Sequence, residues 1–184
     1  DRADLDQQLA GLANRIAQFT ERHGHYLSME RRDFYARLLA AAPRLQARQR
    51  SRRNMTILQG DAHVWNIFLP KDESGGALLF DWDCWTIDIA SDDLAYMMAM
   101  HWYPDMRRHI ERPLLDCYHA ELLARGVRGY DRRALDDDYR LSVLWLSTTP
   151  LWQEGNSIPP VIWWNNLERI MRAADDLNCR ELLD

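Results

Sequence analysis

At 184 residues, 47% of them apolar, the chain can bury one ordinary core and is too short for two. A net charge of −5 sets aside a general nucleic-acid or membrane-surface binder, whose footprint is a basic excess, and leaves a small molecule or a protein as the natural partner. No signal-peptide pattern is present, and no apolar run approaches the roughly 20 residues that cross a bilayer. Cys84, Cys117 and Cys179 stand in no metal-like spacing and read as buried thiols of a protein in a reducing cytoplasm.

Leu5, Leu9, Leu12, Ile16 and Phe19 recur in steps of four and three, so residues 4 to 22 form an amphipathic helix ending before Gly24. Ser28 can cap a second helix, with Phe34, Leu38 and Leu39 turned inward and Pro43 at its end or in the first turn of the next segment. Arg44, Arg48, Arg50, Arg52 and Arg53 then read as a solvated helix face rather than a phosphate-attracting patch. The period shortens at "MTIL", "NIFLP" and "ALLF", and the turn signal "KDESGG" predicts a hairpin of about 66 to 70 with 77 to 81. After "DWDCWTIDIAS" the helical pattern returns. Ser91 or Asp92 is expected to cap "DDLAYMMAMHW", and Pro113 to open a helix closing at Gly126. Leu141, Leu144 and Trp145 mark another helix before Pro150, and Pro159 and Pro160 start a last one through Trp163, Leu167, Ile170 and Met171. The expected fold is a single mainly helical α+β domain over 1 to 184 with one small hairpin. The aromatic runs "HWYP" and "WWNN" read as core rather than as a substrate groove, and His101, His109 and His119, with no HxxxH pairing, as ordinary helix residues.

Polar residues gather around the hairpin. Asn66 opens its first strand and Asp81 closes its second, and paired strands lie about 4.8 Å apart, so these two come near each other and near Asp61. A hard cation such as Mg²⁺ takes one or two carboxylates and fills its remaining positions with water and phosphate oxygens, which suits an aspartate, an asparagine carbonyl and ATP.

"QGDAHVWNIF", "LFDWD" and "DDLAYM" resemble, in order and spacing, the "HGDxHxxNIL … IDWD … DLA" signature of the aminoglycoside phosphotransferase and choline kinase-like small-molecule kinases, which share the protein-kinase fold. The Asp61 to Asn66 interval also equals that of the kinase catalytic loop H-R-D-x-x-x-x-N. The resemblance is strong over about 57 to 100, and implies the C-terminal lobe of a kinase-like fold that transfers the γ-phosphate of ATP, with Mg²⁺, to a hydroxyl of a small-molecule acceptor. It implies that Asp61 accepts or orients the hydroxyl proton, that Asn66 holds one Mg²⁺, and that Asp81 binds metal bridging the ATP phosphates. His63 takes a structural position. Asp93 braces the loop from the following helix, or is a first-turn acid favoured by the helix dipole. Asp83 reaches the metal or faces water, with water favoured. Gln59 replaces the family's histidine: it can hydrogen-bond but cannot reproduce imidazole packing.

The N-terminal lobe that grips ATP through a Gly-rich loop and a lysine has no counterpart here. The glycines form no G-x-G-x-x-G, and the single lysine, Lys71, lies in the hairpin turn. With Asp1 in place of methionine, the expectation is a catalytic lobe apart from its N-terminal lobe, with weak or undetectable turnover of its own. Two other classes stay open: a metal-dependent phosphoesterase, because "GDAH" is similar to the ligand sets of two-metal hydrolases, and a non-catalytic kinase-like lobe.

Overall fold

The computed structural model describes residues 2–72 and 75–184. Helix α1 (Arg2–His23) packs on α2 (Met29–Leu45), and the buried stripe Leu12, Ile16 and Phe19 meets Phe34, Tyr35 and Leu38. Ser28 caps α2, its hydroxyl accepting from the Arg31 amide at 3.3 Å. Pro43 does not end α2 but sits exposed in its last turn.

At the short α3 (Ala47–Arg50) the solvated arginine face holds except at Arg48. Arg48 forks onto the buried Asp138 with both nitrogens at 2.7 Å, and Arg44 donates to the carbonyls of Leu182 and Asp184. Arg50, Arg52 and Arg53 remain exposed.

Two antiparallel ribbons come next. Strands β1 (Met55–Leu58) and β4 (Thr86–Ile89) pair with Met55 opposite Ile89, while β2 (Ile67–Phe68) and β3 (Leu78–Leu79) form the expected hairpin with Ile67 opposite Leu79. The β1–β4 ribbon is not announced by the sequence. Its alternation is plain once paired: Leu58 and Ile89 are buried, whereas Ile57 and Ile87, opposite each other, face outward.

The remaining helices are α4 (Ser91–Ala95), continued by a wide π turn (Tyr96–Met100), then α5 (Pro104–Ala124), α6 (Arg132–Leu146), α7 (Thr149–Gly155) and α8 (Pro160–Asp176). Neither Ser91 nor Asp92 caps α4. Both turn toward α6, where Ser91 Oγ lies 2.8 Å from Ser142 Oγ and the Ser142 hydroxyl donates to Asp92. Nor does Pro113 open a helix: Pro104 does, and Pro113 lies exposed inside α5. The helix tolerates it because its opposite side is pinned. Arg107, 1% exposed, is ion-paired to Glu111 at 2.6 Å and to Asp176, and Tyr139 donates to Glu111 at 2.7 Å, which ties α5 to α6 and α8.

The fold is thus mainly helical α+β, with a core drawn from α1, α2, α6, α8 and the π turn. Trp163 is buried and Trp102 and Trp164 pack against the core, but Tyr103 is exposed. Cys179 is a buried thiol; Cys84 and Cys117 are exposed ones, because their segments present them on a surface turn and on the outer side of α5. Among the described residues no helix is long and apolar enough to cross a membrane.

Asp92 carries a testable consequence. Burial, opposed by the Ser142 hydrogen bond and reinforced by Asp88, Asp93 and Asp138, pushes its carboxyl up to about 7. A folded-state pKa above the unfolded one means that this carboxyl is least unfavourable at low pH and opposes folding increasingly as pH rises from about 4 through 7. Asp92→Asn, which keeps an acceptor for Ser142, should therefore stabilise the fold by up to about 4 kcal/mol at pH 8 and by little near pH 4. Urea unfolding of both proteins at the two pH values measures the difference; an equal gain at both would show that this carboxyl does not titrate as described.

Candidate active site

The loop between β1 and β2 is shaped first by Gly60. Its φ is +84°, and a Cβ there would stand 2.2 Å from the Cys84 carbonyl oxygen, so only glycine lets the two backbones pass. The turn aims the amides of Gln59 and Gly60 at Asp93 in α4, whose two carboxylate oxygens accept them at 2.7 and 3.0 Å. Charge-assisted bonds to backbone amides are among the stronger ones, and this pair fixes the loop to the helix.

Gln59 is 1% exposed and uses its whole amide. The oxygen accepts from the Asp61 amide at 2.8 Å, and the nitrogen donates to the carbonyls of Phe80 at 2.9 Å and Asp81 at 2.5 Å. It thereby stitches the loop to the segment after β3. An imidazole has two ring nitrogens to place; the amide reaches three partners, so the replacement keeps the connection by hydrogen bonding rather than by ring packing.

Asp61, half-buried, is held from several sides. Tyr96 donates to Oδ1 at 2.6 Å, Asn66 Nδ2 to Oδ2 at 3.1 Å, and His63 Nε2 lies 3.2 Å from Oδ2. Asn66 is buried in a 3₁₀ turn (Val64–Asn66), and its Nδ2 also reaches the Asp61 carbonyl at 3.0 Å. With the amide nitrogen engaged by Asp61, the Asn66 carbonyl oxygen points away from it. The Phe80 amide donates to the Asn66 backbone carbonyl at 3.1 Å, placing Asp81 one residue beyond the hairpin pairing. Asp81 is exposed and left-handed, φ 59° and ψ 64°, a conformation that aspartate tolerates better than most residues. Asp83 lies exposed in the next turn (Trp82–Cys84).

Gln59, Asp61, His63, Asn66 and Asp93 therefore share one hydrogen-bonded unit, which Asp81 joins through its backbone. Among the described residues no three His, Cys, Asp or Glu side chains converge on a metal position. One carboxylate and one amide oxygen are nevertheless a chemically fitting set for Mg²⁺, which retains water and phosphate ligands instead of entering an all-protein cage.

Three residues bordering Asp61 are not singled out by the sequence. Gly60 lies inside the motif, but its role becomes visible only with the Cys84 contact. Tyr96, three residues after Asp93 and so on the same helix side, is signalled only by that spacing. Burial first, and then the bond to Asp61, hold its phenol well above its usual range, so it stays a donor. His101 belongs to a ring cluster, 5.3 Å from His63 and 5.0 Å from Tyr96 between centroids, and burial followed by the His63 charge pushes it down to about 4. A cleft of about 890 Å³ opens behind the loop, walled by Gly60, Asp88, Asp92, Asp93 and Trp145; Asp61 does not line it.

A family model described as the phosphotransferase enzyme family matches residues 2–140, from α1 into α6. The chain belongs to that family. No curated protein matches the chain, and no solved structure does either.

Proposed function

We propose that the chain is the catalytic and acceptor-binding lobe of a kinase-like small-molecule phosphotransferase, moving the γ-phosphate of ATP to a hydroxyl with the help of Mg²⁺. The observation that carries this reading is the Asp61 carboxylate, held by Tyr96, Asn66 and His63 on a loop braced by Asp93 and stitched by Gln59 to Asp81. Phosphoryl transfer asks a protein mainly to position groups and stabilise charge, and this unit is a positioning device. Asp61 would orient the acceptor hydroxyl and take its proton on a carboxylate oxygen that still has lone pairs to spare. Asn66, through its carbonyl oxygen, and Asp81, through its carboxylate, would hold magnesium, which when bound neutralises phosphate charge. Asp83 would face water.

The outer faces of both ribbons support a second lobe as partner: Ile57, Ile87, Phe68, Leu69 and Leu78 are exposed there, a surface an N-terminal nucleotide-gripping lobe would cover. The exposed thiols of Cys84 and Cys117 suit a reducing cytoplasm, and the net charge of −5 speaks for neither a nucleic-acid nor a membrane partner. The two-metal phosphoesterase finds no clustered ligands to support it among the described residues.

Calorimetric titration with MgATP of protein carrying both lobes tests the reading. Binding should require magnesium and should be lost in Asp81→Asn, which keeps an easy left-handed residue and removes the charge. Equal binding by wild type and variant, or binding that ignores magnesium, would remove Asp81 from the site.

A further inference from the structure

We infer that His101 is a positioning residue for the Asp61 carboxylate: its Nε2 is the hydrogen-bond partner of His63 Nδ1, and the pair keeps the His63 Nε2–H on Asp61 Oδ2, which leaves Oδ1 as the atom open to the acceptor hydroxyl. This deepens the phosphotransferase reading and rests on it for the role of Asp61.

Donors meet the Asp61 carboxylate unevenly. Oδ2 lies 3.1 Å from Asn66 Nδ2 and 3.2 Å from His63 Nε2, whereas Oδ1 accepts from the Tyr96 hydroxyl at 2.6 Å. Each carboxylate oxygen has two lone pairs, so Oδ2 is filled and Oδ1 keeps one. As the acceptor oxygen bonds to the γ-phosphorus and the bond from that phosphorus to the ADP oxygen breaks, the hydroxyl proton passes to this remaining lone pair on Oδ1. The asymmetry depends on His63 presenting an N–H at Nε2. A bare nitrogen there would set a lone pair against the carboxylate and leave a second place open on Oδ2.

Which ring nitrogen of a histidine faces its partner with a proton is set by what the other nitrogen meets. His63 Nδ1 is buried with no partner among the described residues, and so is His101 Nε2. An unpaired buried nitrogen bears the full desolvation penalty of the group, and these two sit on neighbouring rings, centroids 5.3 Å apart and planes inclined at 68°. Rings at that separation can set facing nitrogens at the roughly 3 Å of a hydrogen bond. Trp65 stands edge-on to both, at 5.1 Å from His63 and 6.0 Å from His101, on their solvent side. His101 is itself held in place. The π turn brings its ring to 5.0 Å from that of Tyr96, and Arg169 of α8 donates to the Met100 carbonyl beside it at 3.4 Å. Burial, and then the His63 charge, push His101 down to about 4, so at neutral pH it carries one N–H and one lone pair. It can therefore donate to a bare His63 Nδ1 or accept from a protonated one, and in either state His63 Nε2 keeps its proton on Asp61.

The test is ¹⁵N NMR of the full chain with labelled histidine and no nucleotide. Wild type should show a proton on His63 Nε2 and a scalar coupling between His63 Nδ1 and His101 Nε2 across the N–H···N bond. His101→Phe, which keeps a ring and removes both nitrogens, should lose the coupling and let the His63 Nε2 proton exchange about tenfold faster or more. His101→Gln, whose amide donates or accepts, should keep that exchange slow. In protein carrying both lobes, His101→Phe should lower kcat about tenfold at unchanged KM for MgATP, and His101→Gln should recover most of the loss. Absence of the coupling in wild type, a His63 Nε2 without a proton, or exchange and kcat that ignore His101→Phe would each overturn the inference, and the wild-type spectrum decides it where a variant fails to fold. A coupled histidine pair in protein that never transfers phosphate defeats the phosphotransferase reading alone, and transfer without the coupling defeats this one alone.

Discussion

Phosphoryl transfer should fall about 10²- to 10⁴-fold when Asp61 is replaced by asparagine, with MgATP affinity little changed. The substitution is nearly isosteric, and an asparagine oxygen could still accept from Tyr96 as Asp61 Oδ1 does at 2.6 Å. What it removes is the negative charge and the ability to take a proton. Gln59 and Asp93 grip the backbone of the loop and not the Asp61 side chain, so the loop should keep its place. The measurement is the initial rate of γ-phosphate transfer, at saturating MgATP, in protein carrying both lobes. A rate within a few-fold of wild type would take Asp61 out of the chemistry.

Gly60→Ala should be among the most damaging single substitutions to the fold around the site, costing roughly 3 kcal/mol or more. Two effects combine. The left-handed φ of +84° charges any other residue about 1 kcal/mol, and the new Cβ would meet Cys84 backbone atoms at 2.2 and 2.9 Å, which cannot yield without moving the turn after Asp81. Gly126 provides the control. Its φ is +90°, but nothing lies within 4 Å of a Cβ there, so Gly126→Ala should show the backbone penalty alone. Urea midpoints of the two variants separate the contributions, and equal losses would mean that the Cys84 contact is not the constraint.

What the sequence revealed and what it hid differ by range. The long faces of α1 and α8 are local periodicities, and the β2–β3 hairpin is announced by its own turn, so these were legible. The β1–β4 ribbon pairs residues about thirty positions apart, and its outward Ile57 and Ile87 interrupt any simple polar alternation. Pro113 misled because proline is a good helix opener, and only the buried Arg107 network shows why a helix runs through it. For the candidate site, the interval from Asp61 to Asn66 was visible in one dimension. The grouping of Tyr96 with His101 was not: five residues apart, they would diverge on an α-helix, whereas one π turn of about that many residues brings them back to one side, their rings 5.0 Å apart.

The left-handed backbone at Asp81 has an evolutionary corollary. With φ near +59°, that position is comfortable for aspartate, asparagine or glycine and uncomfortable for nearly everything else. A descendant that had abandoned chemistry altogether would still be favoured to keep one of those residues there, other types being accepted at a cost, as Arg52 and Ser157 are at their own positive φ. An aspartate at 81 in a relative thus speaks to the course of the chain as much as to its activity, whereas position 61 lies outside the left-handed region and is held to aspartate by its side-chain partners and not by its backbone.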